Sequence, residues 1–214
     1  MVPHTLETSV HGRYLFEDRG ARRLLVGFHG YAETAKTQFE RMEQIAGIER
    51  WSVISIQALH PFYTRSGSIV ASWMTSLDRA FAIADNLTWV RRVLAEVPAP
   101  DTLVFTGFSQ GAAMAARAAA YAGVASGLML LGGDLPPEIH NDPAVVLPPT
   151  LLARGRLDDW YTEEKFNKDL SFLEAQKSGV RPLIFEGGHE WTDAFRDAAS
   201  QFLSTLPGVD SARG

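Results

Sequence analysis

Strand-length apolar runs alternate with longer helical patterns along almost the whole chain. The runs are RRLLVGF (22–28), WSVISIQA (51–58), TLVFTGF (102–108), ASGLMLLGG (125–133), TLLARG (150–155) and VRPLIFEGG (180–188). Between them lie AKTQFERMEQIAG (35–47), with Phe39, Met42, Ile45 and Ala46 on one helical face, and SLDRAFAIADNLTWVRRVLAEV (76–97). A helix from Ser109 to Tyr121, TEEKFNKDLSFLEAQKSG (162–179) and EWTDAFRDAASQFLSTL (190–206) continue the pattern. This alternation predicts an α/β fold: a mostly parallel central sheet, right-handed crossovers, and helices on both faces. TLETSVHGRYLFE (5–17) reads as a hairpin or edge strand, and DLPPEIHNDPAVVLPP (134–149) as a Pro-rich loop. A chain of 214 residues suits one domain, 1–214, with the tail from about 207 frayed.

Charge and composition exclude several functions. The formal net charge is −5 and no basic run occurs, so neither nucleic acid nor an anionic membrane surface is an expected partner. The most membrane-like stretch, AAAYAGVASGLMLLGG (118–133), is shorter than a spanning helix. The start, MVPHTLETSVHGRY, lacks the apolar core of a signal peptide. With no cysteine in the chain, a cytoplasmic location is expected, and disulfides and a cysteine nucleophile are excluded. The His/Asp pattern has no metal-ligand spacing, and no cofactor is expected.

In an open parallel sheet, ligands bind beyond the carboxyl ends of the strands. Four reactive segments fall there: FHGYAE (28–33), GFSQG (107–111), ARGRLDDWY (153–161) and FEGGHEW (185–191). Ser109, between Gly107 and Gly111 at a strand-to-helix junction, is the candidate nucleophile. It needs a base to take its proton. His189, after the last predicted strand and two glycines, is the candidate; the rival His140 sits in the Pro-rich loop with no strand to aim it. A carboxylate must fix the imidazole tautomer, and GRLDDWY offers both Asp158 and Asp159. The backbone amides of Gln110 and Tyr31 are the candidate oxyanion donors. His29 reads as a loop-bracing residue. The segment LHPFYTRSGSIVASWMT (59–75), of a length that suits a functional loop, is the expected pocket wall, with Phe62, Tyr63 and Trp73 as substrate-binding candidates.

HGY, GFSQGAAMA, LGGDLP, GRLDDWY and GGHEW, in this order, resemble the α/β-hydrolase fold and, within it, the phospholipase/carboxylesterase family. That family includes small bacterial carboxylesterases and acyl-protein thioesterases. The resemblance runs from about Leu24 to Leu206. It implies Ser109 as nucleophile, His189 as base and, from the spacing of Gly155 to Asp158, Asp158 as the acid. It also implies Tyr31 and Gln110 as oxyanion donors. Two departures bear on substrate size. Tyr31 stands where the family usually has Leu or another small apolar residue, and Trp160 and Tyr161 replace small residues after the acid, which adds Trp160 to the substrate-binding candidates. No long insertion separates LGGDLP from TLLARG, so no large lid is expected. The implied activity is that of a serine carboxylesterase on small, short- to medium-chain esters, or thioesters, through an acyl-enzyme, as a monomer or homodimer. The alternatives are an acyltransferase or peptidase using the same triad, and a non-catalytic binding protein.

Overall fold

A computed structural model describes residues 1–207; the rest of the tail expected to fray lies outside the described residues. In chain order the elements are β1 (Tyr14–Glu17), β2 (Arg23–Phe28), α1 (Ala35–Glu43), β3 (Ser52–Ile56), β4 (His60–Tyr63), β5 (Ile69–Ser72) and α2 (Arg79–Ala95). There follow β6 (Thr102–Phe108), α3 (Gln110–Tyr121), β7 (Gly127–Leu131), α4 (Pro137–Asn141), β8 (Thr150–Gly155), α5 (Glu163–Gln176), β9 (Val180–Phe185) and α6 (Asp193–Thr205).

Seven strands form one sheet in the order β1-β3-β2-β6-β7-β8-β9. Only β1 runs antiparallel, with Tyr14 opposite Ile56; every other pairing is parallel. Parallel strands buried on both faces read as continuous apolar runs, which is why they stand out in the sequence. Successive residues point to opposite faces. Leu24, Val26 and Phe28 therefore join a core with Val90 and Val93 of α2, Met114 and Ala115 of α3, and Phe166 and Leu173 of α5. Leu25 joins the other core, with Met42 of α1 and Phe195, Phe202 and Leu203 of α6. Threonines cap the flanking helices: Thr34 accepts from the Thr37 amide, Thr162 from Lys165 and Thr192 from Phe195.

The structure departs from the sequence reading in four places. The segment 59–75 is not a loop. Its two arms pair as β4 and β5, with Tyr63 opposite Ile69, in a separate two-stranded sheet. The Pro-rich loop contains α4, with Pro137 in its first turn, where the missing amide costs nothing. The edge strand is confined to Tyr14–Glu17, and residues 1–13 have no regular structure. Helix α1 ends at Glu43, so Ala46 lies beyond it and is exposed, while Ile45 is buried.

The backbone passes very closely at the β6–α3 junction. A Cβ on Gly111 would lie 2.1 Å from the Phe28 carbonyl oxygen and 2.5 Å from that of His29. A Cβ on Gly107 would lie 2.1 Å from the Gly111 oxygen. Gly111→Ala therefore sets two effects against each other. Alanine gains about 1 kcal/mol of helix propensity over glycine. Overpacking against fixed backbone costs about 3 kcal/mol. The clash wins, and the expected net loss is ~2 kcal/mol, read as a lower urea midpoint with an unchanged slope. An unchanged midpoint would refute this close seating of α3 on β2.

Candidate active site

Ser109 closes β6 and opens α3 with φ 54° and ψ −120°. A non-glycine residue at positive φ is strained by about 1–3 kcal/mol and persists only where its surroundings over-determine it. Here the surroundings are the Ser109 amide bonded to the Leu131 carbonyl at 2.9 Å, the Ala112 amide bonded back to the Ser109 carbonyl at 3.0 Å, and the two close-packed glycines. Serine is a good N-cap, but Ser109 does not cap: its side chain makes no capping bond to α3. The residue is half-buried, at the helix end where the amide dipoles are positive.

The loop after β9 carries His189 and the turn after β8 carries Asp158. Nδ1 of His189 lies 2.8 Å from Oδ2 of Asp158. The Asp158 side chain is 1% exposed and that of His189 23%, which leaves the imidazole partly open. The second carboxylate oxygen, Oδ1, accepts from the amides of Trp160 and Tyr161, both at 2.9 Å. Asp159 is exposed. The His189 ring packs on Phe108, the residue before Ser109, at 4.8 Å between centroids. Both His189 and Asp158 crowd Gly132, while Gly133 sits against the Ser109 backbone. The loop after β7 thus brings the three residues together. No hydrogen bond joins the Ser109 hydroxyl to the imidazole among the described residues. Such contacts often tighten only when substrate is bound.

The HGYAE loop packs on the other side of Ser109. His29 is fully buried. Its Nε2 accepts from the Ala58 amide at 3.1 Å, which puts the proton on Nδ1, 2.7 Å from the Gly30 carbonyl oxygen. Burial pushes the His29 pKa below the ordinary histidine value and keeps it neutral. Its role is bracing. The Gly30 amide donates to Glu33 at 2.8 Å, so it is not free for a ligand. Neither the Tyr31 amide nor that of Gln110 donates to another group among the described residues. The Gln110 side chain is pinned: Oε1 accepts from the Trp73 amide at 2.9 Å, and Nε2 donates to the Met74 carbonyl at 2.8 Å.

The aromatic candidates separate. Trp73 is 0% exposed, packed on Phe28 and His29, with Nε1 donating to the His29 carbonyl oxygen. It cannot wall a pocket as expected, because β5 carries it beneath the HGYAE loop; its effect on the site is support. Phe62 packs on Tyr31 at 5.5 Å, and Tyr63 is exposed. Trp160 is 75% exposed beside Asp158. His140, the rival base, is engaged elsewhere, 2.7 Å from Asp169 of α5. Sequence reasoning missed Glu33 and Arg41. Both oxygens of Glu33 accept from the Arg41 guanidinium, at 2.7 and 2.8 Å, and that guanidinium lies 4.8 Å from the Phe108 ring centroid. The acid in HGYAE followed eight residues later by Arg was the only available signal.

Among the described residues no group of three or more His, Asp or Glu side chains could hold a metal ion, and no helix is long and apolar enough to cross a membrane. A groove lined by Ser126, Pro149, Gly179 and Phe202 opens at the amino ends of β7–β9, the far end of the sheet from Ser109. Arg181 is its only charged lining residue among those described.

Neither a protein-family model nor a curated protein matches the chain. Solved structures do. A carboxylesterase from Mesorhizobium loti is 19% identical, over 94% of this chain and 98% of its own, with a TM-score of 0.75. A phospholipase/carboxylesterase from Dyadobacter fermentans is 18% identical, over 93% and 99%, at 0.70. Acyl-protein thioesterase 2 of Zea mays is 20% identical, over 91% and 98%, at 0.68. The chain has the α/β-hydrolase fold, in the form shared by these esterases and thioesterases. They carry the names of the family that the sequence motifs resemble.

Proposed function

We propose that this protein is a serine carboxylesterase acting on small, short- to medium-chain esters. Ser109 is the nucleophile, His189 the base and Asp158 the acid, and the amides of Tyr31 and Gln110 hold the oxyanion. One observation carries the reading. A serine strained at positive φ on the strand-to-helix turn, its hydroxyl unused as a cap, shares a site with a partly open imidazole held by a buried carboxylate at 2.8 Å. Strain is kept where function needs it.

In the proposed mechanism, Asp158 holds the proton of His189 on Nδ1, leaving Nε2 as the acceptor. Nε2 takes the Ser109 proton as Oγ attacks the ester carbonyl. The tetrahedral oxyanion receives the two free amides. The imidazolium then protonates the leaving alcohol as the carbon–oxygen bond breaks. Water repeats the sequence on the acyl-enzyme and releases the acid. Tyr31, Phe62 and Trp160 border this site with exposed or half-buried aromatic surface, which suits an apolar acyl or alcohol group over a charged one.

The test is a p-nitrophenyl ester series from acetate to dodecanoate, run beside labelling with an active-site phosphonate. Turnover peaking at short or medium chains, with one equivalent of phosphonate on Ser109, is the expected result. Labelling without turnover of any ester would replace the esterase reading with the acyltransferase or peptidase one. No labelling and no turnover would leave the non-catalytic reading.

A further inference from the structure

Beside the candidate site lies a second, buried set of polar groups that the mechanism above does not use. Its centre is Asp169 on α5, which is 1% exposed. Its carboxylate accepts from Tyr161 Oη at 2.8 Å, the Leu135 amide at 3.0 Å and, across the helix interface, His140 Nε2 at 2.7 Å. Those donors come from three different segments: the turn after β8, the loop after β7, and α4. Burying a carboxylate is costly unless it is fully satisfied. Burial indeed holds the Asp169 pKa above the ordinary carboxylate value, even though all three donors draw it down. The Tyr161 phenol is buried as well, and burial together with Asp169 raises its pKa, so the hydroxyl remains a donor.

Tyr161 also faces the other way. Its amide donates to Asp158 Oδ1 at 2.9 Å, and its carbonyl accepts from Arg154 Nε at 2.9 Å. It is thus fixed at its ring end by Asp169 and at its backbone by Arg154, and it orients the Asp158 carboxylate so that Oδ2 meets His189. We infer that Tyr161 and Asp169 are positioning residues for the catalytic acid: their buried hydrogen bond locks the turn 158–161 and so aims Asp158 at His189. Neither touches the reacting atoms. Asp169 aims a second segment too, because Leu135 belongs to the loop whose Gly132 and Gly133 lie between Asp158, His189 and Ser109. The inference rests on the Ser109–His189–Asp158 reading.

Tyr161→Phe removes the hydroxyl alone. The expected result is a kcat about tenfold lower with KM within about twofold, since misaiming a catalytic group costs rate and leaves uniform binding intact. A second readout separates aiming from stability. A carboxylate that no longer faces Nδ1 squarely stabilises the imidazolium less, so the acid limb of kcat/KM moves to lower pH, by roughly 0.5. The other titratable and charged groups around the turn and His189 are the same in both proteins: Asp159 within the turn, Arg156 paired with Glu186, Glu190 beside His189, His140 on α4, Lys165 on α5 with its partner Asp134, and Arg154 on β8. An NMR titration of the imidazole carbons tells His189 from His140. Asp169→Asn, which keeps the volume and one acceptor oxygen, should act in the same direction, and it carries the test if Tyr161→Phe does not fold. An unchanged limb in a folded variant, or a moved His140 with a fixed His189, would overturn the inference while leaving the triad standing. Full activity in Ser109→Ala in the same assay would overturn both.

Discussion

Ser109→Ala is expected to lower kcat on p-nitrophenyl esters by about 10⁵-fold, with the fold intact. The hydroxyl makes no capping bond, so α3 loses nothing when it goes. The backbone strain at φ 54° comes from the Cβ, which alanine keeps. Stability should therefore stay within about 0.5 kcal/mol of the parent, as for a neutral substitution. Ser109→Gly separates the two properties further. It removes the nucleophile and the Cβ together, so activity vanishes while stability rises by about 1 kcal/mol. A chain that gains stability by losing its candidate nucleophile is one whose local backbone serves chemistry before folding. Measured rates equal to the parent in both variants would remove Ser109 from the reaction. A fall in stability in Ser109→Gly would mean that the turn is unstrained, and would take away the main support for the nucleophile.

The fold was legible because its sheet is parallel and buried on both faces. Runs such as TLVFTGF and GLMLL are buried at every position and mostly apolar on both faces, and the helices between them carry apolar residues at helical spacing. What failed to show was local structure made by few residues. The β4–β5 hairpin has Pro61 in one arm and only four residues in each, too little alternation to read. Helix α4 is five residues long and starts at a proline. Trp73 misled for a different reason. An aromatic residue after a loop looks like a pocket wall, but the hairpin turns it inward beneath His29, a placement that depends on a tertiary bridge between Glu33 and Ala71. The candidate site divides in the same way. Ser109, His189 and the DDWY acids each follow a strand and are marked by neighbouring glycines or by their order along the chain. Asp169, Tyr161 and His140 come from three segments, up to 29 residues apart in sequence, and nothing in the residues between them marks the network.

Asp158→Asn is expected to lower kcat by about 10⁴-fold at neutral pH, with little change in KM. The hydrogen bonds dictate how. Oδ1 of Asp158 accepts from two backbone amides, those of Trp160 and Tyr161. An asparagine in its place must turn its carbonyl oxygen toward those amides, because an NH₂ there would set donor against donor in a buried turn. The NH₂ then faces Nδ1 of His189, where Oδ2 stood at 2.8 Å. Nδ1 becomes the acceptor and the ring proton moves to Nε2. An imidazole protonated there cannot take the Ser109 proton, so the base is lost through its tautomer while the geometry stays. Asp159→Asn, one position along and exposed, should leave kcat within about twofold of the parent, as a surface change does. The paired variants decide which acid of GRLDDWY serves the imidazole. More than a tenth of the parent rate in Asp158→Asn, with a collapse in Asp159→Asn, would reassign the acid and require the turn after β8 to refold when substrate binds.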